Sequence, residues 1–235
     1  MPDERVVTTF NPNSWDRFFK KNLLSWLKHL SCEIVVYYEG DQPPLDHPRI
    51  IWREFDEIPG AQEFIDEAAK FAPARGVFRT GYDYNYDVHK FCRKVFAQYD
   101  AAQEPCDTLV WLDSDVEATR DFAGFTEYLN GMPIALYERP GFHCESGIVI
   151  FDMAQCKALF DNYMGLYLTR KVYTLFRGWH DCWALDAVIA HLGLPTTNLS
   201  PQGRTFTNTA NLEVVSASVL GPYFFHDKGP IKHAA

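Results

Sequence analysis

The chain has 235 residues, of which 47% are hydrophobic and 15% aromatic, and its formal net charge is -9. This length and composition predict one folded domain with a substantial core, because no Gly/Ser or Pro tract marks a linker. The negative charge argues against a protein that binds duplex nucleic acid, since such a protein needs basic side chains to neutralise phosphates.

Cysteine spacing and apolar runs bear on the cellular compartment and on membrane insertion. The six cysteines form no Cys-x-x-Cys pair and no zinc-binding spacing, so we expect reduced thiols in a cytoplasmic protein. The first residues, Met-Pro-Asp-Glu-Arg, lack the charged and then apolar order of a signal peptide. No uncharged apolar run approaches the roughly 18 residues that a membrane helix needs, and we therefore expect no transmembrane segment.

Strands and helices are predicted to alternate through the first half of the chain. Apolar runs and helical spacing predict strands at residues 5–10, Glu33–Tyr38, 50–55 and Thr108–Leu112, and helices at residues 15–30, 61–71 and 88–102. The opening strand, helix and strand form the first unit of a doubly wound sheet. The predicted fold class is therefore α/β, with a mixed, mainly parallel sheet flanked by helices. The polar and aromatic residues 81–87 are predicted to form a loop near the binding crevice.

The second half is predicted to continue this alternation. We expect helices at residues 121–129, 153–174 and 182–192, and strands at residues 133–137 and 148–151. A polar segment at residues 143–147 precedes the second of these strands. Polar groups packed against a buried strand need partners, and a bound sugar could supply them. Asp181 lies at the predicted start of the last helix, where capping alone would explain it.

Two carboxylates directly follow the predicted strand Thr108–Leu112. Asp113 and Asp115 are separated by Ser114, and side chains two residues apart in an extended chain point the same way. Open α/β sheets bind ligands outside the carboxyl ends of their strands. Two carboxylates at that position suit Mg²⁺ or Mn²⁺, and an acidic loop that only caps the next helix is the alternative.

Basic residues precede this acidic pair on the predicted helix 88–102. Lys90, Arg93 and Lys94 lie on that helix, which leads directly into the strand before Asp113. They could meet a polyphosphate near the carboxylates, or they could form a solvated helix face. The solvated face is favoured for Lys90 and Arg93, whereas both alternatives stay open for Lys94.

A second motif lies near the end of the chain. His226, Gly229 and Lys232 have the spacing His-x-x-Gly-x-x-Lys. Histidine supplies a nitrogen ligand, glycine lets the backbone approach a phosphate closely, and lysine provides positive charge for a diphosphate.

Together, these two motifs resemble the nucleotide-sugar glycosyltransferases of the GT-A fold, most closely the retaining family of glycogenin and the bacterial lipooligosaccharide galactosyltransferases. The resemblance covers most of the chain in order, although only short motifs are specific. It implies a single GT-A domain over residues 1–235, with a nucleotide-binding half at about 1–117 and an acceptor-side half at about 118–235. It also implies that Asp113, Asp115 and His226 hold Mn²⁺ or Mg²⁺ on a UDP-sugar.

The same resemblance implies contacts with the rest of the donor. The residues implied to hold the uridine are Thr8, Thr9, Phe10 and Tyr38 with Glu39, and those implied to contact the remainder are Lys94, Ser114, Lys228, Gly229 and Lys232. Glu145-Ser146-Gly147 stands where the family has Asn-Ser-Gly, and His180-Asp181-Cys182 stands where it has His-Asp-Gln. Asp181, Glu145 and Cys182 are the candidate catalytic residues. Because Glu145 and Cys182 depart from the family pattern, the donor sugar and the stereochemical outcome stay open.

The implied reaction moves a sugar from a UDP-sugar to a glycan or glycolipid acceptor in polysaccharide biosynthesis, with retention of configuration. An inverting reaction with Asp181 or Glu145 as the base is the alternative. Two other classes also stay open. One is a phosphatase of the haloacid dehalogenase type, although Glu117 stands where that family has Thr or Val. The other is a sugar-nucleotide-binding module without chemistry. The chain could also be one module of a larger multidomain glycan-assembly protein.

Overall fold

A seven-stranded sheet is the centre of the computed structural model, which describes residues 3–139, 141–175, 177–200 and 214–226. The strands are β1 (Glu4–Thr9), β2 (Glu33–Tyr38), β3 (Ile50–Glu54), β4 (Val77–Phe78), β5 (Gly81–Tyr82), β6 (Thr108–Leu112), β7 (Val116–Ala118), β8 (Ile134–Tyr137), β9 (Glu145–Asp152), β10 (Thr196–Asn198) and β11 (Phe224–His226). The α-helices are α1 (Lys20–His29), α2 (Ala61–Lys70), α3 (Val88–Ala101), α4 (Lys157–Leu168) and α5 (Asp181–Leu192). A wider helical segment, Trp15–Phe19, leads directly into α1.

The order of strands explains where a ligand can bind. Across the sheet the order is β10, β8, β9, β6, β1, β2, β3. β1 runs parallel to β2 and β6, whereas β9 runs antiparallel to β6 and β8. The strands β2 and β3 lie on one side of β1, and the later strands of the sheet lie on the other side, beginning with β6. The carboxyl ends of β1 and β6 therefore border a topological switch point, where α/β sheets commonly bind ligands. The predicted α/β class, with a mainly parallel sheet flanked by helices, is confirmed.

Both faces of the sheet are buried, because successive residues of the central strands point to opposite sides. Val7 and Trp111 pack with the helices α2 to α5 on one face. Val6 and Val110 pack with α1 and with aromatic residues that follow β7 on the other face. Strands covered on both faces need nearly continuous apolar runs, which is why β2 and β6 were recognisable in the sequence.

Residues 121–129 do not form the predicted helix, and only Thr126–Leu129 forms a short 3₁₀ turn. The Glu4 side chain accepts hydrogen bonds from the backbone N–H groups of Phe125 and Thr126, at 2.8 and 2.9 Å. The aromatic rings of this segment pack against β11. Tertiary contacts therefore override the helical spacing on which the prediction rested.

The predicted helix 153–174 is divided into two pieces. α4 is followed by a 3₁₀ turn, Lys171–Thr174. Arg170 separates the two pieces and has a left-handed backbone, with φ of 62°. Such a residue commonly ends a helix, because it satisfies carbonyl groups of the last turn.

Strand β9 begins earlier than the prediction of residues 148–151. Glu145 already pairs with Tyr137 of β8. The polar residues Glu145, Ser146 and Gly147 are therefore strand residues, and their positions are fixed by the sheet.

Two further expectations concern thiols and membrane insertion. The six cysteines all lie in the described part of the chain and are free thiols. Within the same residues, no helix has both the length and the apolar character that crossing a bilayer requires.

Candidate functional site

A cleft of about 950 Å³ opens at the carboxyl ends of β1 and β6. Its walls come from the loop after β1, one side of α3, the residues after β6, the start of β9 and the amino end of α5. Pockets for small ligands have volumes of roughly 300–1,000 Å³, so this cleft has room for a molecule as large as a nucleotide sugar.

Asp113, Asp115 and His226 lie together at the end of β6. The His226 Nε2 atom is 3.0 Å from Asp115 Oδ1 and 3.8 Å from Asp113 Oδ2. The potential ligand atoms of the three residues all lie within 4.8 Å of one another. Asp115 and His226 are buried, whereas the Asp113 side chain is 30% exposed. The three residues that the sequence motifs singled out as metal ligands are thus brought together in space.

The strand β11 holds the His226 ring at this position. β11 pairs antiparallel with β7, and His226 lies opposite Val116. Gly147 of β9 leaves the space that the ring occupies, because a Cβ atom at this glycine would lie 2.7 Å from His226 Nδ1. A glycine is therefore required at residue 147 for steric reasons.

The Lys94 ammonium group links the acidic pair to α5. Its Nζ atom lies 3.1 Å from Asp113 Oδ1 and 3.2 Å from Asp181 Oδ2. It also donates to the carbonyl oxygen of Ser146 at 2.5 Å and to its hydroxyl at 2.8 Å. Burial alone would lower the pKa of Lys94, but the two carboxylates outweigh burial and raise it above its usual value. Lys94 is therefore a buried cation at the wall of the cleft.

Asp181, at the start of α5, is the second carboxylate that contacts Lys94. Its Oδ2 atom accepts a hydrogen bond from the Ser146 hydroxyl at 2.6 Å. Burial and the neighbouring Cys182 would raise the pKa of Asp181, but Lys94 and His180 hold it below its usual value. The residue that caps α5 is His180, whose Nδ1 atom accepts from the backbone N–H of Cys182. Helix capping, the simpler explanation for Asp181, therefore does not apply, because the preceding residue is the cap.

A second group of possible ligand atoms lies at the start of α5. Atoms of His180, Asp181 and Cys182 also lie within 4.8 Å of one another. Lys94 lies 3.2 Å from Asp181 of this group and 3.1 Å from Asp113 of the first group, so its positive charge affects both. The two groups differ in burial, because His180, Asp181 and Cys182 are all buried, whereas the Asp113 side chain is 30% exposed.

The remaining catalytic candidates, Glu145 and Cys182, are also buried in the wall of the cleft. The Glu145 Oε2 atom lies 3.9 Å from Arg139 Nη1, and Oε1 accepts the backbone N–H of Gly147 at 3.1 Å. The Cys182 Sγ atom lies 3.0 Å from the Ser146 hydroxyl.

The other predicted donor contacts differ in their positions. Thr9, Phe10 and Ser114 line the cleft, whereas Thr8 and Tyr38 are buried and are absent from its described lining. The predicted donor residues Lys228, Gly229 and Lys232 lie outside the described residues.

The contacts of three residues at the site were not predicted from the sequence, although Glu39 was predicted to help hold the uridine. Trp111 donates its indole N–H to Asp113 Oδ1 at 2.6 Å and so orients that carboxylate. Its position two residues before Asp113 in a strand was the available signal. Glu39 lines the cleft, but Arg93 donates to both of its carboxylate oxygens, at 2.7 and 2.9 Å. The role of Ser146 between Lys94 and Asp181 had no signal in the spacing.

No protein-family model matches the sequence, and no curated protein matches it in sequence. Among solved structures, the chain is similar to mouse xyloside xylosyltransferase 1 in its apo form, with 14% identity and a TM-score of 0.48 over 84% of this chain and 85% of that one. It is also similar to the glycosyltransferase GlyE of Streptococcus pneumoniae TIGR4, with 12% identity and a TM-score of 0.49 over 85% of this chain. The match spans 45% of the GlyE chain.

Proposed function

We propose that this chain is a metal-dependent glycosyltransferase of the GT-A fold, which moves a sugar from a UDP-sugar to a glycan or glycolipid acceptor with retention of configuration. The observation that carries the proposal is the approach of His226 Nε2 to within 3.0 Å of Asp115 and 3.8 Å of Asp113. The resemblance in the motifs requires this approach, although 111 positions separate His226 from Asp115.

The three side chains fit a divalent cation by their chemistry. Two carboxylates supply the hard oxygen ligands that Mg²⁺ and Mn²⁺ prefer, and the imidazole adds a nitrogen ligand that favours Mn²⁺ over Mg²⁺. When bound, such an ion neutralises negative charge on the diphosphate of a donor. Asp113, Asp115 and His226 are the residues that would hold it.

Other residues of the chain would position the donor and exclude water. Thr9 and Phe10, at the end of β1, are placed to contact the nucleotide. Lys94 keeps the Asp113 carboxylate at a fixed position, because its ammonium group is itself held by Ser146 and Asp181. Such fixed charges cost no reorganisation during the reaction, which is how enzymes stabilise developing charge.

The surroundings of Asp181 and Glu145 support retention over inversion. An inverting enzyme needs a carboxylate within hydrogen-bond reach of the acceptor hydroxyl. The Asp181 carboxylate already binds Lys94 and the Ser146 hydroxyl, and its lowered pKa makes it a weak base. Glu145 is buried beside Arg139. In a retaining enzyme the leaving phosphate can accept the proton instead.

Two further parts of the proposal concern the cellular location and the pathway. The six free cysteines support a cytoplasmic location, since such thiols persist where the environment is reducing. We also propose that the reaction belongs to polysaccharide biosynthesis, because its proposed acceptor is a glycan or glycolipid.

The proposal is tested by thermal-shift measurements with UDP-, GDP- and dTDP-sugars, each with and without Mn²⁺. A ligand that binds only the folded state must raise its stability, and we expect the largest rise with a UDP-sugar and Mn²⁺ together. Asp113→Asn and Asp115→Asn should remove the part of the rise that depends on Mn²⁺. Asp121→Asn is the matched control, because the Asp121 side chain is 93% exposed.

Products released from the donor separate the three classes of function. A transferase slowly releases free sugar from its UDP-sugar in the presence of Mn²⁺, and either Asp→Asn variant should lower that rate by about 100-fold or more. Release of inorganic phosphate from phosphate esters would instead indicate a phosphatase. Binding without any release would indicate a sugar-nucleotide-binding module.

A further inference from the structure

An exposed aromatic ring forms part of the cleft on the side of α5. Tyr84 lines the cleft and is 37% exposed, although most large side chains around it are buried. Its ring stacks on the ring of His180, with centroids 5.7 Å apart and planes inclined by 24°. His180 in turn contacts the rings of Phe91, His143 and Trp183. The outer face of Tyr84 is thus a flat apolar surface with a packed aromatic layer behind it.

The loop that carries Tyr84 is fixed to the amino end of α5. The carbonyl oxygen of Asn85 accepts the backbone N–H groups of Trp179 and His180, at 2.7 and 3.2 Å. The Asp83 side chain accepts the backbone N–H of Asn85. A Cβ atom at Gly178 would lie 2.7 Å from the Asn85 carbonyl oxygen, so the close approach of the two loops requires glycine there. These contacts therefore hold the loop of Tyr84 in a fixed position against the amino end of α5.

A hydrogen-bond donor beneath Tyr84 lacks an acceptor. His180 is 1% exposed, and its Nδ1 atom accepts the backbone N–H of Cys182. The neutral ring therefore carries its proton on Nε2. The Nε2 proton is also present when the ring is fully protonated. Within the described residues Nε2 has no hydrogen-bond partner. A buried donor without an acceptor is unfavourable. Because Nε2 is enclosed in this structure, a ligand hydroxyl can accept its proton and relieve this cost only when the aromatic rings around it shift.

We propose that Tyr84 and His180 form the acceptor subsite of the cleft, and that this subsite takes a carbohydrate ring. A pyranose ring has an apolar C–H face that can pack on the Tyr84 ring. A hydroxyl group at its rim can accept from His180 Nε2 when the rings that enclose this atom shift. This inference rests on the proposed function, since it divides the cleft between a donor side at Thr9 and Phe10 and an acceptor side at Tyr84.

Saturation-transfer NMR tests the subsite with methyl α- and β-glycosides of glucose, galactose and mannose as probes. The measurements use the full chain with UDP and diamagnetic Mg²⁺. We expect a signal from the C–H face of at least one glycoside with the unmodified protein. Tyr84→Ala should weaken that binding by about tenfold or more, whereas Tyr84→Phe keeps the ring and should restore it. Tyr82→Ala is the control, because Tyr82 is exposed on the same segment but is not among the residues lining the cleft.

The outcomes separate this inference from the proposed function. If UDP with Mg²⁺ stabilises the unmodified protein, but glycoside signals are absent or equal in Tyr84→Ala, the subsite is wrong and the donor site stands. If glycosides bind in a manner that depends on Tyr84 while no nucleotide stabilises the protein, the carbohydrate subsite stands and the transferase proposal fails. Thermal unfolding of each variant shows that a lost signal does not reflect a lost fold.

Discussion

The Lys94 ammonium group is enclosed between two carboxylates that belong to different elements. Asp113 follows β6 and Asp181 opens α5, and the Lys94 side chain is only 8% exposed between them. Charges removed from water in this way are tolerated only when they are paired and hydrogen-bonded. At the residue scale, the arrangement of Asp113 and Asp181 in the cleft wall therefore depends on the positive charge of Lys94.

Replacing Lys94 by Met should destabilise the protein strongly. The change leaves Asp181 buried without its cation, and breaking a buried ion pair on one side costs about 3–5 kcal/mol. Urea unfolding followed by circular dichroism measures this loss. Lys28→Met is the control, since Lys28 is exposed. Equal stability of the Lys94 and Lys28 variants would contradict the assigned role.

Gly147→Ala should displace the His226 ring. The added Cβ atom would lie 2.7 Å from His226 Nδ1, so the ring or the strand must move. Overpacking of this kind costs about 1–3 kcal/mol, and it should also weaken Mn²⁺ binding because His226 is a proposed ligand. Mn²⁺ titration followed by electron paramagnetic resonance measures the second effect.

Gly165→Ala provides a matched glycine for comparison. No atom lies within 4 Å of a Cβ atom placed there, and the residue lies inside α4. Alanine should therefore raise stability by about 0.5–1 kcal/mol and leave Mn²⁺ binding unchanged. If the two variants bound Mn²⁺ equally well, the steric argument for Gly147 would be wrong.

At the scale of elements, the three-residue strand β11 places His226. Its pairing with β7 is short, and Phe224 fixes it to the core by packing on Phe122 and Phe125. Phe224 is 1% exposed, whereas its neighbour Phe225 is 38% exposed. The alternation along the strand thus directs Phe224 and His226 inward and Phe225 outward.

Phe224→Ala should destabilise the protein by about 3–5 kcal/mol and weaken Mn²⁺ binding, because it removes the anchor of the strand that carries His226. Phe225→Ala removes the same side chain from an exposed position and should change stability by about 0.5 kcal/mol. Chemical denaturation with and without Mn²⁺ measures both quantities. Similar losses in the two variants would show that β11 is not held as described.

At the scale of the whole molecule, the parts predictable from sequence are those with local signals. The apolar runs of β1, β2 and β6 and the spacing of α2 and α3 were sufficient to predict most of the first half of the sheet. The acidic pair was visible because it follows a buried strand, and His226 was visible through the motif around it. These features can be recognised without information about contacts between distant residues.

The features that the sequence did not reveal depend on contacts between distant residues. Residues 121–129 have helical spacing, but Glu4 binds the backbone N–H groups of Phe125 and Thr126, which would otherwise bond to carbonyl groups inside the predicted helix. The partners of Lys94 follow β6 or lie on β9 and α5, and no spacing rule connects these three elements. Trp111 belongs to the apolar run of β6, and the hydrogen bond by which its indole N–H orients Asp113 was not predicted.

The convergence of Asp113, Asp115 and His226 on one cation is tested most directly by crystals of the full chain grown with UDP and Mn²⁺. Anomalous scattering at the manganese edge locates the ion without reference to any assumed site. We expect one strong peak within about 2.5 Å of a carboxylate oxygen of Asp113, one of Asp115 and the Nε2 atom of His226. Manganese at His180, Asp181 and Cys182 instead, or no manganese beside the bound nucleotide, would contradict this assignment.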